Sequence, residues 1–328
     1  MKTLVTGGTG FVGSHLAAAL ARRGDDVFCL VRRPEQAAFV ASLGALIAPG
    51  SLDDADALRT ALAGVEQVYH LAGLTTAASE AEFLAVNEAG TRRLLAAIQA
   101  TVPNLKRFVH VSSIAAVGPT SHGTRLTEAS PCRPVTAYGR SKLAGEIVVR
   151  GAAGLPWTIV RPPVVYGPRD RELLRLFRIA RRGFAPVFGM GMQELSLVYV
   201  TDLADGIAAA GAAPGALGQT YHLAHPDIVR SRDLAREIGR AVRRGRDPLI
   251  VPVPAAVAAP IVRMIGRAAA AAGRRTVVSA DKLAEFLAPA WGTSVAKAER
   301  ELGWRPPHDV HRGVEETAAW YRAEGLLA

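Results

Sequence analysis

The stretch VTGGTGFVGSHL, residues 5–16, follows a short apolar segment directly and opens a helical pattern. Its glycines satisfy two spacings at once. Gly7, Gly10 and Gly13 read as G-x-x-G-x-x-G, and Gly8, Gly10 and Gly13 read as G-x-G-x-x-G. A tight turn, a close backbone approach to a pyrophosphate and close helix–strand packing each exclude a side chain here. The helix N-terminus then offers free N–H groups and a positive dipole end to phosphates. The loop predicts a dinucleotide site lined by Gly7, Gly10, Phe11, Val12 and Gly13.

Outward from this loop, apolar strands alternate with amphipathic helices, the pattern of a parallel, doubly wound α/β sheet. Strands are expected at 2–6, 27–31, 45–48, 67–71, 107–112 and 157–161. Helices are expected at 11–23, 36–43, 53–63, 80–100 and 137–150. Beyond Pro162 the alternation weakens and Pro and Gly become frequent. The reading divides the chain into a dinucleotide-binding core, 1–165, and a mixed region, 166–328. That region returns elements to the core at about 195–224 and builds a smaller substrate-binding cap from about 225–305.

The end of the second strand bears on the choice of cofactor. An NAD site usually places Asp or Glu there for the ribose hydroxyls. This strand ends Leu30-Val31 and continues Arg32-Arg33-Pro34, while Asp25 and Asp26 precede it. A guanidinium offers a 2′-phosphate a paired fork of donors. Arg32 therefore favours NADP(H), with NAD(H) as the second choice.

Tyr138 and Lys142 stand four residues apart in AYGRSKLAGE, on one face of a predicted helix. A free tyrosine titrates near 10, too high for ready proton transfer at neutral pH. A nearby ammonium would lower it toward working range. Ser112 and Ser113 end the fifth strand, at the carboxyl edge where open α/β sheets bind ligands. A serine there could donate to a carbonyl oxygen while Tyr138 delivers a proton. His70 and His110 fall in core strands and read as packed residues. His222 and His225 lie near the cap and could line a substrate pocket.

With these segments in place the chain resembles the extended short-chain dehydrogenases/reductases. That family includes nucleotide-sugar epimerases, dihydroflavonol reductases and 3β-hydroxysteroid dehydrogenases. The matching segments are TGGTGFVG, VYHLAG (68–73), VNEAGTRRLL (86–95), VSSIAAVG, YGRSK, RPPVVYGP (161–168), VYVTDLADGI (198–207) and ELGWRP (301–306). The resemblance implies a Rossmann-type sheet and a catalytic set of Ser113, Tyr138 and Lys142, with Lys142 also reaching the nicotinamide ribose. It implies that Leu71, Ala72 and Gly73 run beside the cofactor, that Leu52 lies near the adenine, and that Pro163 and Val164 meet the carboxamide. A homodimer is expected from the same analogy, pairing the 80–100 helix with the Tyr138 helix of a second subunit.

Departures from the family pattern narrow the reaction. Ser113 is followed by Ile114, Ala115 and Ala116, without the acid that sugar dehydratases carry there. In LSLVYVTD, Leu195 takes the place of an arginine that holds a substrate diphosphate in nucleotide-sugar enzymes. The apolar, alanine-rich stretch 251–273, interrupted by Arg263 and Arg267, suits a lid over a greasy pocket or a segment lying on a membrane surface. The expected reaction is NADPH-dependent reduction of a hydrophobic ketone, or oxidation of the secondary alcohol. A nucleotide-sugar 4-epimerase with retained NAD and a non-catalytic dinucleotide sensor are the alternatives.

Composition agrees with a globular enzyme. Of 328 residues, 49% are hydrophobic and 21% charged, which excludes a disordered chain. Cys29 and Cys132 form no disulfide framework and show no metal-ligand spacing, so no metal is expected. The N-terminus lacks a signal-peptide pattern and reads as cytoplasmic. The net charge of +10 comes from arginines scattered in doublets, with only 6% aromatic residues and no basic tail. A solvated basic surface is expected, and no nucleic-acid partner.

Overall fold

The computed structural model describes residues 1–271 and 282–327. The first half runs β1 (Lys2–Thr6), α1 (Phe11–Arg22), β2 (Asp26–Val31), α2 (Ala38–Ser42), β3 (Leu46–Pro49), α3 (Ala55–Leu62) and β4 (Gln67–His70). It continues α4 (Glu80–Asn87), α5 (Ala89–Thr101), β5 (Arg107–Val111), α6 (Ala137–Arg150) and β6 (Trp157–Arg161). The second half follows as β7 (Val164–Tyr166), α7 (Leu174–Arg181), β8 (Phe184–Phe188), β9 (Glu194–Tyr199), α8 (Val200–Ala212) and β10 (Gln219–His222). Then come β11 (Ile228–Arg230), α9 (Ser231–Val242), β12 (Leu249–Val253), α10 (Ala255–Ala271), α11 (Leu283–Leu287), β13 (Ala290–Trp291), α12 (Ala296–Leu302) and α13 (Val310–Ala323).

Seven strands form one parallel sheet in the order β10-β6-β5-β4-β1-β2-β3. β4 and β5 are buried along their whole length because helices cover both faces. Alternate residues feed two cores. Val5, Val109 and Val160 pack with Leu16 and Leu20 of α1 and Leu203 and Ile207 of α8. Leu4, Val68 and Phe108 pack on the other side with Leu58 and Leu62 of α3 and Leu94 and Ile98 of α5. Strand order reverses between β1 and β4, so their carboxyl ends open the crevice where such sheets hold ligands.

Beyond β6 the chain is more regular than its Pro and Gly content predicts. β9 is flanked by β11 and β13 in its first half and by β7 in its second. β8 and β12 form a separate parallel ribbon. Tyr166, Phe177, Leu234, Ile238 and Tyr321 build a third core among β7, α7, α9 and α13. The segment 197–210 is the end of β9 followed by α8, and β10 returns to the main sheet. The helix expected at 80–100 is two helices, broken at Glu88. The Asn87 side chain is bound to Leu74 and Ser141 there, and the Thr91 hydroxyl donates to the Asn87 carbonyl at 2.7 Å. Such side-chain bonds compete with the regular helical ladder. The stretch 251–273 divides into β12 and α10; Ala272, Gly273 and the Arg263 and Arg267 side chains lie outside the described residues. Among the described residues no helix is long and apolar enough to cross a membrane.

Candidate active site

The turn after β5 and the first turns of α6 bring Ser113, Tyr138 and Lys142 together. Thr136 caps α6, its hydroxyl accepting from the Gly139 N–H at 3.1 Å. A Cβ on Gly139 would stand 2.3 Å from the Ala115 carbonyl oxygen. Only glycine lets the helix press on the turn that carries Ser113. The Ser113 Oγ accepts from the Ala115 N–H at 3.1 Å, which leaves its proton free to donate elsewhere. Its neighbour Ser112 is buried, with its main chain committed to Val160. The Tyr138 phenol interacts with the Ser113 hydroxyl, and its ring lies 5.9 Å from that of Phe83.

Burial pushes the Tyr138 phenol up to about 12; the Ser113 hydroxyl opposes the rise, and Glu285 and Glu172 add to it. Burial also draws the Lys142 amine down to about 8, opposed by the Glu146 carboxylate one turn on. The Lys142 ammonium donates to the Val111 carbonyl at 2.6 Å. The phenol thus stands above its free value, where a nearby ammonium is expected to lower it. Glu146 is itself fully buried and clamped by Arg161, whose Nε and Nη2 donate to it at 2.8 and 2.7 Å.

The glycine loop forms a cradle whose shape depends on bare backbone. Gly7 has a φ of +74°, and a Cβ there would stand 2.7 Å from the Ala72 N. A Cβ on Gly13 would stand 2.1 Å from the Gly7 carbonyl oxygen. Gly10 caps α1 without a side-chain partner, and no acidic residue occupies the first turn, so the N–H groups of Phe11, Val12 and Gly13 have no partner within the helix. This donor set fits a pyrophosphate. Leu71, Ala72 and Gly73 continue β4 along the same crevice, where the Leu71 N–H donates to the Thr6 carbonyl and the Ala72 N–H to its hydroxyl. Arg32 is exposed just past β2, and β2 adjoins β1 in the sheet. Leu52 is a core residue packed beneath Gly90 of α5. Pro163 is buried and Val164 exposed at the start of β7.

Several participants escaped the sequence reading. Asn87 ties the loop after β4 to α6: its Oδ1 accepts from the Leu74 N–H at 2.8 Å and its Nδ2 donates to Ser141 at 2.9 Å. Its signal in the sequence is the VNEAGT segment. From the cap, the Lys282 Nζ lies 5.3 Å from the centre of the Tyr138 ring, and α11 follows it directly. The Gln193 amide fastens that helix by donating to the carbonyls of Glu285, Phe286 and Ala288 at 2.8–3.2 Å. Beyond Ser113 the wall is apolar, with Ile114, Val117, Ala288 and Trp291 packed against Leu126 and Leu195. His222 does not line a pocket. It is fully buried beside Arg161 in the sheet, with its Nδ1 bound to the Thr293 hydroxyl. His70 is a packed residue, bridging the hydroxyls of Thr6 and Thr91 at 2.7 and 2.9 Å. A surface cleft of about 530 Å³ between residues 123–125 and β11 contains none of the three catalytic candidates.

Comparison with known proteins shows the family and the fold. The model of the NAD dependent epimerase/dehydratase family matches residues 3–224. The chain is similar to a ceramide reductase of Caulobacter vibrioides, 32% identical over 98% of this chain and 95% of that protein. It is also similar to the 4-hydroxy-2-methyl-3-oxo-4-farnesyl-3,4-dihydroquinoline-1-oxide ketoreductase of Stigmatella aurantiaca, 36% identical over 68% of each chain. In fold it matches the UDP-glucuronic acid 4-epimerase of Bacillus cereus, solved in complex with NAD, with a TM-score of 0.79 at 21% identity and full coverage of both chains.

Proposed function

The chain belongs to the NAD dependent epimerase/dehydratase family, and we propose that within it the protein is an NADPH-dependent reductase of a hydrophobic ketone. The observation that carries this reading is the apolar wall beyond Ser113. Leu195 stands there in place of a diphosphate-binding arginine, packed with Ile114, Val117 and Trp291. Such a wall favours a lipid-like carbonyl over a nucleotide sugar. The two relatives named as reductases, for a ceramide and for a farnesylated quinoline, support the same substrate class.

The glycine loop and the first N–H groups of α1 would hold the pyrophosphate, Arg32 a 2′-phosphate, and Lys142 the nicotinamide ribose. When bound, the nicotinamide supplies the hydride. The Ser113 proton, left free by the bond its oxygen accepts, donates to the substrate carbonyl oxygen. The Tyr138 phenol, kept protonated across the physiological range, transfers its proton to that oxygen as it becomes a hydroxyl. A phenol held neutral suits the reductive direction, which consumes one proton per turnover. Two chains would pair through α4–α5 and α6, whose outer face exposes Ile147.

The test is titration of NADPH and NADH against wild type and Arg32→Ala, followed by turnover on a panel of hydrophobic ketones and UDP-sugars. We expect a preference for NADPH of at least about tenfold that disappears in the variant, since one charge-assisted contact is worth ~1.5–3 kcal/mol. Equal affinity, or NAD retained through purification with activity on UDP-sugars, would replace this reading with a 4-epimerase.

A further inference from the structure

The ribbon of β8 and β12 has one covered face and one open face. Ala185 and Val187 are buried, and β8 packs on α7 and α9. On the other face the register pairs Phe184 with Leu249, Pro186 with Val251 and Phe188 with Val253. Paired residues of parallel strands share a face, so this surface is apolar from end to end. At its outer end Phe184 is 52% and Leu249 62% exposed.

α10 leaves directly from the end of β12 and packs on α11. Val257, Ile261 and Met264, spaced by four and three residues, share one face of it and are exposed, Met264 to 64%. A monomeric soluble protein rarely leaves two such apolar patches open, here joined in the chain through Pro254. Its rim is basic. Arg182 precedes β8, and Arg244 and Arg246 precede β12; all three are exposed, and no carboxylate among the described residues pairs with them. Because the strands are parallel, these arginines gather at one end of the ribbon.

We propose that this face, the β8–β12 ribbon with α10, docks the protein on an anionic phospholipid bilayer. The apolar side chains enter the acyl boundary, and the arginines meet lipid phosphates. The basic rim and the net charge of +10 favour an anionic surface over a second copy of the chain, because a two-fold contact would bring two arginine rims together. The face also continues into the candidate active site. Phe286 of α11 stacks on Phe188 at 5.1 Å with 11° between the rings, and Lys282, just before α11, lies over Tyr138. A lipophilic substrate could therefore pass from bilayer to tyrosine along the cap. Docking itself does not depend on the proposed chemistry.

The experiment is flotation of the full chain with phosphatidylcholine vesicles and with equimolar phosphatidylcholine–phosphatidylglycerol vesicles. Oligomeric state is followed by sedimentation, and folding by thermal unfolding. Wild type should float with the anionic vesicles and lose at least about tenfold of that affinity on neutral ones. Leu249→Glu with Met264→Glu should abolish flotation, and Arg182→Glu with Arg244→Glu should abolish its dependence on anionic lipid. Should a variant fail to fold, hydrogen exchange on wild type decides instead, with protection by vesicles confined to 184–192 and 249–264. Absence of wild-type flotation, equal flotation of folded variants, or protection elsewhere overturns the proposal. Conversion of a dimer to a monomer by the Leu249→Glu pair, with no flotation of wild type, would assign the face to a second copy.

Discussion

Lys142 is an amine held out of water, 7% exposed, and burial lowers it from 10.5 to about 8. The sign of its effect on stability follows. The unfolded chain holds this proton more tightly than the folded chain between about pH 8 and 10.5, so folding gains stability as pH rises through that window. Below about 8 the buried charge is a full burden, eased only by its bond to the Val111 carbonyl and by Glu146. Lys142→Met should therefore stabilise the cofactor-free protein at neutral pH by about 1–3 kcal/mol, the linkage gain less the lost hydrogen bond. Turnover should be lost in the same variant. Urea unfolding of both proteins near neutral pH and again near pH 10 checks it: the difference should shrink at the higher pH. A destabilised variant at neutral pH would show that the ammonium contributes more to the fold than its burial costs. The same titration makes reductive turnover in wild type decline as pH rises through about 8.

At the scale of elements, helix α6 is fixed at both ends of its working face. Gly139 lets its first turn touch the Ala115 carbonyl, and Glu146 locks its third turn to Arg161 at the end of β6 through a pair almost wholly out of solvent. Gly139→Ala places a methyl where 2.3 Å is available, so either the helix or the 114–116 turn must move. That motion separates Tyr138 from Ser113 while leaving the glycine loop intact. The expected outcome is a fall in kcat of about a hundredfold, the cost of a roughly 1 Å misplacement, with NADPH affinity unchanged. Steady-state kinetics beside a nucleotide titration would separate the two, and equal losses in both would refute the argument. The contact itself could not be read from YGRSK, because spacing says nothing of what a neighbouring turn brings close. The core strands were legible because burial leaves apolar runs, uninterrupted in residues 27–31. The break at Glu88 was not, since Val86, Asn87, Glu88 and Ala89 all tolerate helix, and the bonds of Asn87 to Leu74, Ser141 and Thr91 that accompany it leave no local pattern. β8 and β12 were hidden by Pro186 and Pro252, residues tolerated in so narrow a ribbon but weak as strand signals.

Across the whole molecule one continuous piece of chain, residues 193–212, joins the crevice to the cap. α8 packs on α1, the helix that opens from the glycine loop, and β9 leads into α8 without a gap. At the other end of β9, Gln193 donates to the carbonyls of Glu285, Phe286 and Ala288 around the end of α11, and the Trp291 indole N–H shares the Glu285 carbonyl at 3.0 Å. The position of Lys282 over Tyr138 thus depends on an amide more than eighty residues away in sequence, and no local pattern announces it. Gln193→Ala removes the amide while leaving β9 paired to β11 and β13 by main-chain bonds. Each lost bond is worth roughly 0.5–1.5 kcal/mol, enough together to loosen α11 without unfolding the sheet. Binding of a hydrophobic ketone should weaken, with KM rising about tenfold for ~1.4 kcal/mol, while NADPH affinity stays as in wild type. If KM and NADPH affinity fell together, the cap and the glycine loop would share a coupling that runs back through β9 and α8. If neither moved, α11 would be held by the Phe188–Phe286 stack and Trp291 alone, and the amide would serve only to satisfy the carbonyls it faces.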